Sequence, residues 1–421
     1  GSITSGFGAI DNGASAITTT GAVSGGTITG STSVKTPLIE YTDGDDAITI
    51  ANGGGTTFAQ TAAIPAITGL TSINSGQIGG RRNLVINGEM GIDQRNAGAS
   101  KAVSSYGYGL DRFGFNCSGG GAFTAQRDTT VPAGQGFIYS QKLTVTTADS
   151  SIAAADVYSL FHKIEANNSS WLRLGTAHAK TFTLSFWVRS SVTGTFGVGF
   201  NNNAFNRSYV ATYSISSADT WEKKTITVVG DTAGTWTTGT TIGLNISFDL
   251  GGGSNYEAAA GSWSAGNFSR TSGSVEWIAT SSATFYITGV QLEVGSTATD
   301  FEHRGIGEEL SLCQRYYYRN VAQVAYAAFG IGIVDSASSC CGVYSKHPVT
   351  MRAIPTITIS GLRLWDQGAG PAVTGLAGTW STTEQMSQCF NASGGGLTTG
   401  RPCVVNSNGN AADYIAADSE L

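Results

Sequence analysis

Along much of the chain, apolar residues recur at every second position. Phe182, Leu184, Phe186 and Val188 share one face of an extended segment. Ile242, Leu244, Ile246, Phe248 and Leu250 repeat the pattern more cleanly, and Ile226 and Val228 supply a third strand after Trp221. Phe285 and Ile287 lie on one face, whereas Val290, Leu292 and Val294 lie on a face of opposite phase. The slip falls at Gly289, so a β-bulge is predicted there. Asn- and Gly-rich turns separate these runs, with no convincing amphipathic helix among them. Residues 83–305 are therefore expected to form one β-sandwich, most simply a jelly roll.

The best helical pattern is Ile306–Arg319. Glu308 and Glu309 stand in its first turn and Arg315 and Arg319 near its end, which suits the helix dipole. Residues 306–320 are expected to be a short helical joint. Three adjacent aromatics, Tyr316, Tyr317 and Tyr318, cannot all face one core, so some should meet a neighbouring domain or chain. Residues 321–421 become β-like again, with Ile354–Ile359 and Leu362–Trp365 reading as strands of a distal β domain.

Upstream, residues 1–34 place single isoleucines (Ile3, Ile17, Ile28) in a Gly- and Thr-rich background. One such strand buries too little apolar surface to offset its ordering entropy. Three chains wound together would let each isoleucine meet its symmetry mates, so an extended, intertwined shaft or attachment segment is expected. This pattern and the tyrosine cluster both point to a homotrimer. Residues 35–82 hold short strand candidates, Pro37–Tyr41, Ala47–Ala51 and Thr56–Gln60, with a turn at Asn52–Gly55. They read as a small β adaptor followed by a linker.

Composition agrees with a mainly β protein. Of 421 residues only 12% are charged and 58 are glycine, while 40% are hydrophobic. That excludes both a helical bundle and a disordered chain. The net charge is −6 and the strongest basic cluster is Arg81-Arg82, so nucleic acid is an unsuitable partner. No apolar run approaches the ~20 residues of a membrane-spanning helix. The six cysteines (Cys117, Cys313, Cys340, Cys341, Cys389 and Cys403) show no metal-site spacing. Most are expected to be buried thiols, with a Cys389–Cys403 bridge as the alternative.

Several segments carry a resemblance. Asn83-Leu84-Val85-Ile86-Asn87-Gly88 followed by Gln94-Arg95, and Tyr108-Gly109-Leu110-Asp111-Arg112-Phe113, are similar to the opening of jelly-roll modules in bacteriophage and prophage tail-fibre proteins. Phe182–Arg189, Arg207–Val210, Thr220–Thr227, Gly251–Tyr256, Phe285–Glu293 and Phe301–Tyr318 continue it in order, and Pro348–Pro355 resembles distal fibre ends. The resemblance implies a receptor-binding virion protein, assembled in the host cytoplasm as a homotrimer. It further implies an N-terminus mounted on other tail or baseplate proteins, and a host-surface glycan or outer-membrane receptor as partner. Its jelly roll would be like a carbohydrate-binding module.

Catalytic chemistry is harder to assemble. The histidines His162, His178, His303 and His347 have no partner at a recognisable motif spacing. Glycan cleavage, as in a tailspike-like depolymerase, needs two opposed carboxylates. Asp249, Glu257, Glu276, Asp300 and Glu302 are available, but sequence does not pair them. A purely structural collar or capsid fibre is the other alternative. No cofactor is implied and no metal site is assigned, Asp43, Asp45 and Asp46 falling short of a calcium loop. Asp111-Arg112 is expected to support the core through charge-assisted hydrogen bonds. Sugar binding asks for exposed aromatic faces, and the candidates are Trp187, Trp236, Tyr256, Trp263, Trp365 and Trp380. The last two are favoured because a fibre meets its host at the tip.

Overall fold

The computed structural model describes residues 38–40, 46–50, 56–57 and 81–421. Residues 1–34 lie outside that range, as do Asp43 and Asp45. The first unit holds β1 (Leu38–Glu40), β2 (Asp46–Ile50) and β3 (Thr56–Thr57), an antiparallel sheet in the order β1-β2-β3.

The second unit begins with a large sandwich. Its strands are β4 (Lys101–Val103), β5 (Gly107–Tyr108), β6 (Phe113–Ser118), β7 (Ala122–Asp128), β8 (Ser140–Thr147) and β9 (Val157–Glu165). After the single turn α1 (Ala166–Ser169) come β10 (Phe182–Ser190), β11 (Gly194–Asn201), β12 (Arg207–Ile215), β13 (Glu222–Val228), β14 (Ile242–Gly252), β15 (Trp263–Ala265) and β16 (Thr284–Val294). One sheet runs β13-β10-β16-β8-β7-β4 and the other β15-β12-β11-β14-β9-β6-β5, so the chain repeatedly crosses between them as a jelly roll does. Phe182 and Phe186 of one sheet meet Phe200 and Phe248 of the other edge-on, at 5.4 and 5.1 Å between centroids. All four are fully buried, each contributing about 1.5–3 kcal/mol by leaving water.

The expected bulge is present. Ser185 pairs with Gln291 but Trp187 pairs with Thr288, so β16 holds one extra residue between them. Gly289 takes φ +60°, and a Cβ there would stand 2.5 Å from the Phe137 ring. Both the conformation and the space select glycine.

Helix α2 is Ile306–Gln314, shorter than its sequence pattern, and its last turn holds no basic residue. Arg315 turns aside to reach Glu165, and Tyr317–Val321 becomes strand β17. A full ladder with the last strand outweighs the local helical preference. The remaining strands are β18 (Ala328–Ser336), β19 (Ser339–Lys346), β20 (Thr356–Ser360), β21 (Leu362–Trp365), β22 (Val373–Thr379), β23 (Gln385–Ala392), β24 (Pro402–Ser407) and β25 (Tyr414–Asp418). They form sheets β17-β25-β20 and β21-β24-β18-β19-β23-β22 around a second core that includes Phe329, Val343, Leu364, Phe390 and Val405.

Cys389 is bridged to Cys341 and not to Cys403. The two lie on paired strands beside a register shift at β19, which brings their α-carbons to 4.0 Å. Cys117, Cys313, Cys340 and Cys403 are buried thiols.

The two sandwiches meet over a small cluster of Ile86, Ile92, Cys313 and Tyr316. Tyr316 Oη donates to Glu165 Oε2 at 2.8 Å, and the Arg112 guanidinium lies 3.6 Å from the ring centre. Arg95 lies 3.6 Å over the Tyr317 ring while donating to Asp418 at 2.8 Å. Tyr318 is half-buried in β17. Tyr316 and Tyr317 thus meet partners across the joint between the two sandwiches. Asp111 and Arg112 do support the core, but through separate partners. Asp111 accepts from Gln94, and Arg112 pairs with Glu420.

Candidate functional site

The seven-stranded sheet turns one face to the core and the polar phase of its strands outward. That outer face carries Asn116 on β6, Ser159, Phe161 and Lys163 on β9, Asn245, Ser247 and Asp249 on β14, and Gly197, Gly199 and Asn201 on β11. The register sets them in rows. Lys163 faces Asn245 and Asn245 faces Asn201; Phe161 faces Ser247 and Ser247 faces Gly199; Asn116 faces Ser159 and Ser159 faces Asp249.

Hydrogen bonds tie the rows into a floor. Asn116 Nδ2 donates to Ser159 Oγ at 3.0 Å, Asn245 Nδ2 to Asn201 Oδ1 at 3.2 Å, and Asn201 Nδ2 to Asn267 Oδ1 at 3.3 Å. The amide oxygen of Asn245 has no donor among the described residues. Tyr106 stacks on Phe161 at 5.5 Å and 15° to make one wall, and Phe205 and Tyr256 line the other parts of a groove of about 270 Å³. Lys163 Nζ is held by Tyr106 Oη at 3.0 Å and the Leu421 carbonyl at 2.7 Å, which fixes the charged end of the groove.

A strap, residues 266–276, lies directly on β11. It fits because Gly197 and Gly199 have no side chains. A Cβ at Gly197 would come 2.4 Å from the Ser269 carbonyl oxygen, and one at Gly199 2.6 Å from that of Phe268. Arg270 pins the strap. Its guanidinium, 1% exposed, donates to the Gly252 carbonyl, to Ser274 O at 3.0 Å and to both oxygens of Glu276, and its Nε stands 3.8 Å from Asp249 Oδ2. Charge-assisted bonds of this kind, made away from water, are strong and geometrically specific.

Of the candidate carboxylates, Asp249 and Glu276 therefore converge on one arginine, whose backbone bridges Glu257. Glu302 is elsewhere, accepting from the backbone N–H of Arg82 and Asn83 at 3.1 and 2.8 Å. Asp300 precedes it, its carbonyl accepting from Gln291.

Burial pushes the Asp249 carboxyl up to about 7, against the pull of Arg270, whose charge is shared with Glu276. The folded state thus holds this proton more tightly than the unfolded chain. Its contribution to stability is complete below the unfolded value of about 4 and is lost as pH rises toward about 7. Asp249→Asn removes that loss. Denaturant titrations of the variant and the parent should agree near pH 4 and diverge in the variant's favour by pH 8; parallel profiles would contradict this reading.

The six aromatic candidates do not form one site. Tyr256 lines the groove. Trp236 and Trp263 meet edge-on at 5.4 Å and 89° beyond the strap. Trp187 is half-buried on the outer face of the six-stranded sheet, between Lys223 and Thr288. Trp365, on β21, and Trp380, just after β22, are 40% and 63% exposed. These strands stand at the two ends of the distal sheet order, and a bridge between Arg363 and Ala372 draws those ends together. Two of the histidines have structural partners. His162 is buried and accepts from the Ile86 N–H at 3.2 Å, burial holding it well below its ordinary pKa, and His303 contacts Glu89 at 3.1 Å.

The sequence reading missed Tyr106, Phe161, Asn116, Asn201 and Asn245. The outward phase of Ile242–Leu250, which is Asn245, Ser247 and Asp249, was the available signal.

No protein-family model matches the chain, and no curated protein does. Among solved structures, the enzymatically active domain of bacteriophage CBA120 tailspike protein 4 is 12% identical, with a TM-score of 0.27, over 50% of this chain and 21% of that one. The chain thus spans about a fifth of that structure's length. A family 4 carbohydrate-binding module is 16% identical with a TM-score of 0.25, over 50% of this chain and 99% of the module. The family 11 carbohydrate-binding module from Clostridium thermocellum is 11% identical with a TM-score of 0.25, over 48% and 100%. The fold assignment rests on the strand topology given above.

Proposed function

We propose that this chain is a glycan-binding adhesin, a phage tail-fibre protein that holds a host-surface saccharide in the groove of the seven-stranded sheet without cleaving it. The observation that carries this reading is the groove itself. Aromatic rings offer faces to the C–H side of a pyranose, and a floor of Asn and Ser side chains meets its hydroxyls. Pockets that pair apolar walls with a few placed polar groups are the usual form of small-ligand sites. The non-catalytic reading is supported by Asp249 and Glu276, which are tied to Arg270 rather than opposed across open space. The tail-fibre assignment rests on the ordered segments from Asn83 to Tyr318. A homotrimer with its N-terminus on the virion multiplies weak single sites through effective concentration.

Screening the chain on a glycan array, followed by calorimetry on the best ligand, tests the reading. Asn245→Ala and Tyr256→Ala should each weaken binding about tenfold, the effect of losing one polar or stacking contact without disturbing the core. Binding unchanged in both variants would remove the groove from consideration. Release of new reducing ends from host polysaccharide would favour a depolymerase instead. Failure to bind any host glycan or intact host cells would favour a structural fibre.

A further inference from the structure

A larger cavity, about 460 Å³, lies outside the groove at the end of the same sandwich. It is lined by Arg173, Thr176, His178, Trp236, Thr237 and Thr238 among others, and no carboxylate lines it. Trp236 is fixed in place. Its Nε1 donates to Asp231 Oδ2 at 3.3 Å and Ala233 O at 3.2 Å, and Trp263 braces it edge-on. The neighbouring acid, Asp231, is already neutralised by a two-pronged pair with Arg207 at 2.9 and 2.6 Å. Arg173 and His178, by contrast, make no ion pair among the described residues, and Arg173 is exposed. The cavity therefore joins a rigid aromatic surface, an uncompensated guanidinium and several hydroxyls.

We propose that this cavity is a second saccharide site, selective for acidic sugars: the ring of a uronic-acid residue lies on Trp236 and its carboxylate is held by Arg173. A guanidinium matches a carboxylate with two parallel hydrogen bonds, which a neutral sugar cannot use. The indole selects a ring over a bare anion, and the threonines meet the remaining hydroxyls. The site shares no lining residue with the groove, so the two stand or fall separately.

The test uses the whole 421-residue chain. Trigalacturonic acid, neutral galactotriose and sodium sulfate are titrated separately, and the last two also as competitors of the first, with calorimetry and tryptophan fluorescence as readouts. Trigalacturonic acid should bind saturably. Arg173→Gln should weaken it about tenfold or more, the effect of losing a charge-assisted pair, while Asn245→Ala in the groove leaves it unchanged. Trp236→Ala should abolish it. Because that ring packs on the core, the exposed Arg173→Gln variant carries the decision. Galactotriose and sulfate should not compete. Absence of saturable binding, equal competition by sulfate, or equal loss in Arg173→Gln and Asn245→Ala would each overturn the proposal. Failure of the groove reading shows differently, as neutral-glycan binding insensitive to Asn245→Ala.

Discussion

Replacing Arg270 with Met is expected to cost about 3–5 kcal/mol at pH 8, the range for removing one partner of a buried ion pair. The methionine fills much of the stem's volume, so the loss falls on the polar end. Glu276, 37% exposed, can turn to water. Asp249 cannot, because it is 1% exposed and Arg270 is the cation beside it. The Gly252 and Ser274 carbonyls lose a donor as well. The carboxyl's one escape is to take up a proton, so the cost should shrink near pH 4, and a second change, Asp249→Asn, should recover part of it at pH 8. The strap would also lift from β11 around Arg270, which holds it beside Gly197, while Asn201 still bonds Asn267 and the Phe268 carbonyl. Denaturant unfolding gives the energy, and limited proteolysis between residues 266 and 276 reports the lifted strap. A loss under about 1 kcal/mol, typical of an exposed pair, with unchanged proteolysis would show that the strap is held by other means.

Much of the framework is legible in the sequence because it is local. Alternation along Phe182–Val188 and Ile242–Leu250 assigns the inward faces, and the phase slip at Gly289 locates a bulge. The functional face is a different matter. Asn201, Asn245 and Lys163 form one row only because β11, β14 and β9 are neighbours, and that order follows from pairing strands far apart in sequence. Gly197 and Gly199 look like ordinary turn-prone residues until a strap is seen lying on them. The strap itself has no periodicity to read. The tyrosine run shows the same limit. Its residues look crowded on any single element, but the helix stops at Gln314 and a strand takes over at Tyr317. That change of element gives Tyr316 and Tyr317 separate partners. The Cys341–Cys389 bridge likewise depends on a register shift between two strands, which spacing along the chain does not encode.

Arg112→Met is expected to uncouple the two sandwiches. The side chain is fully buried and makes three kinds of contact at the joint: an ion pair with Glu420, a hydrogen bond to the Lys163 carbonyl, and a cation–π contact with Tyr316 at 3.6 Å. Glu420 would keep Arg95 at 3.3 Å, so its charge is not left bare. The cost should therefore sit near the lower end of the buried-pair range, about 3 kcal/mol. Its distribution matters more than its size. The large sandwich has its own core, and so does the distal one, whereas the joint between them is a cluster of only a few apolar side chains surrounded by arginines and tyrosines. Weakening the joint lowers the free energy for separating two intact cores without touching either. A single calorimetric transition in the parent should split in the variant, the distal transition moving down while the large sandwich melts as before. Glu165→Gln, which removes the charge that holds Arg315 and Tyr316, should act in the same direction. One unshifted transition in both variants would mean that apolar contact alone joins the sandwiches, and that the arginine network is incidental to the geometry in which the distal domain is presented.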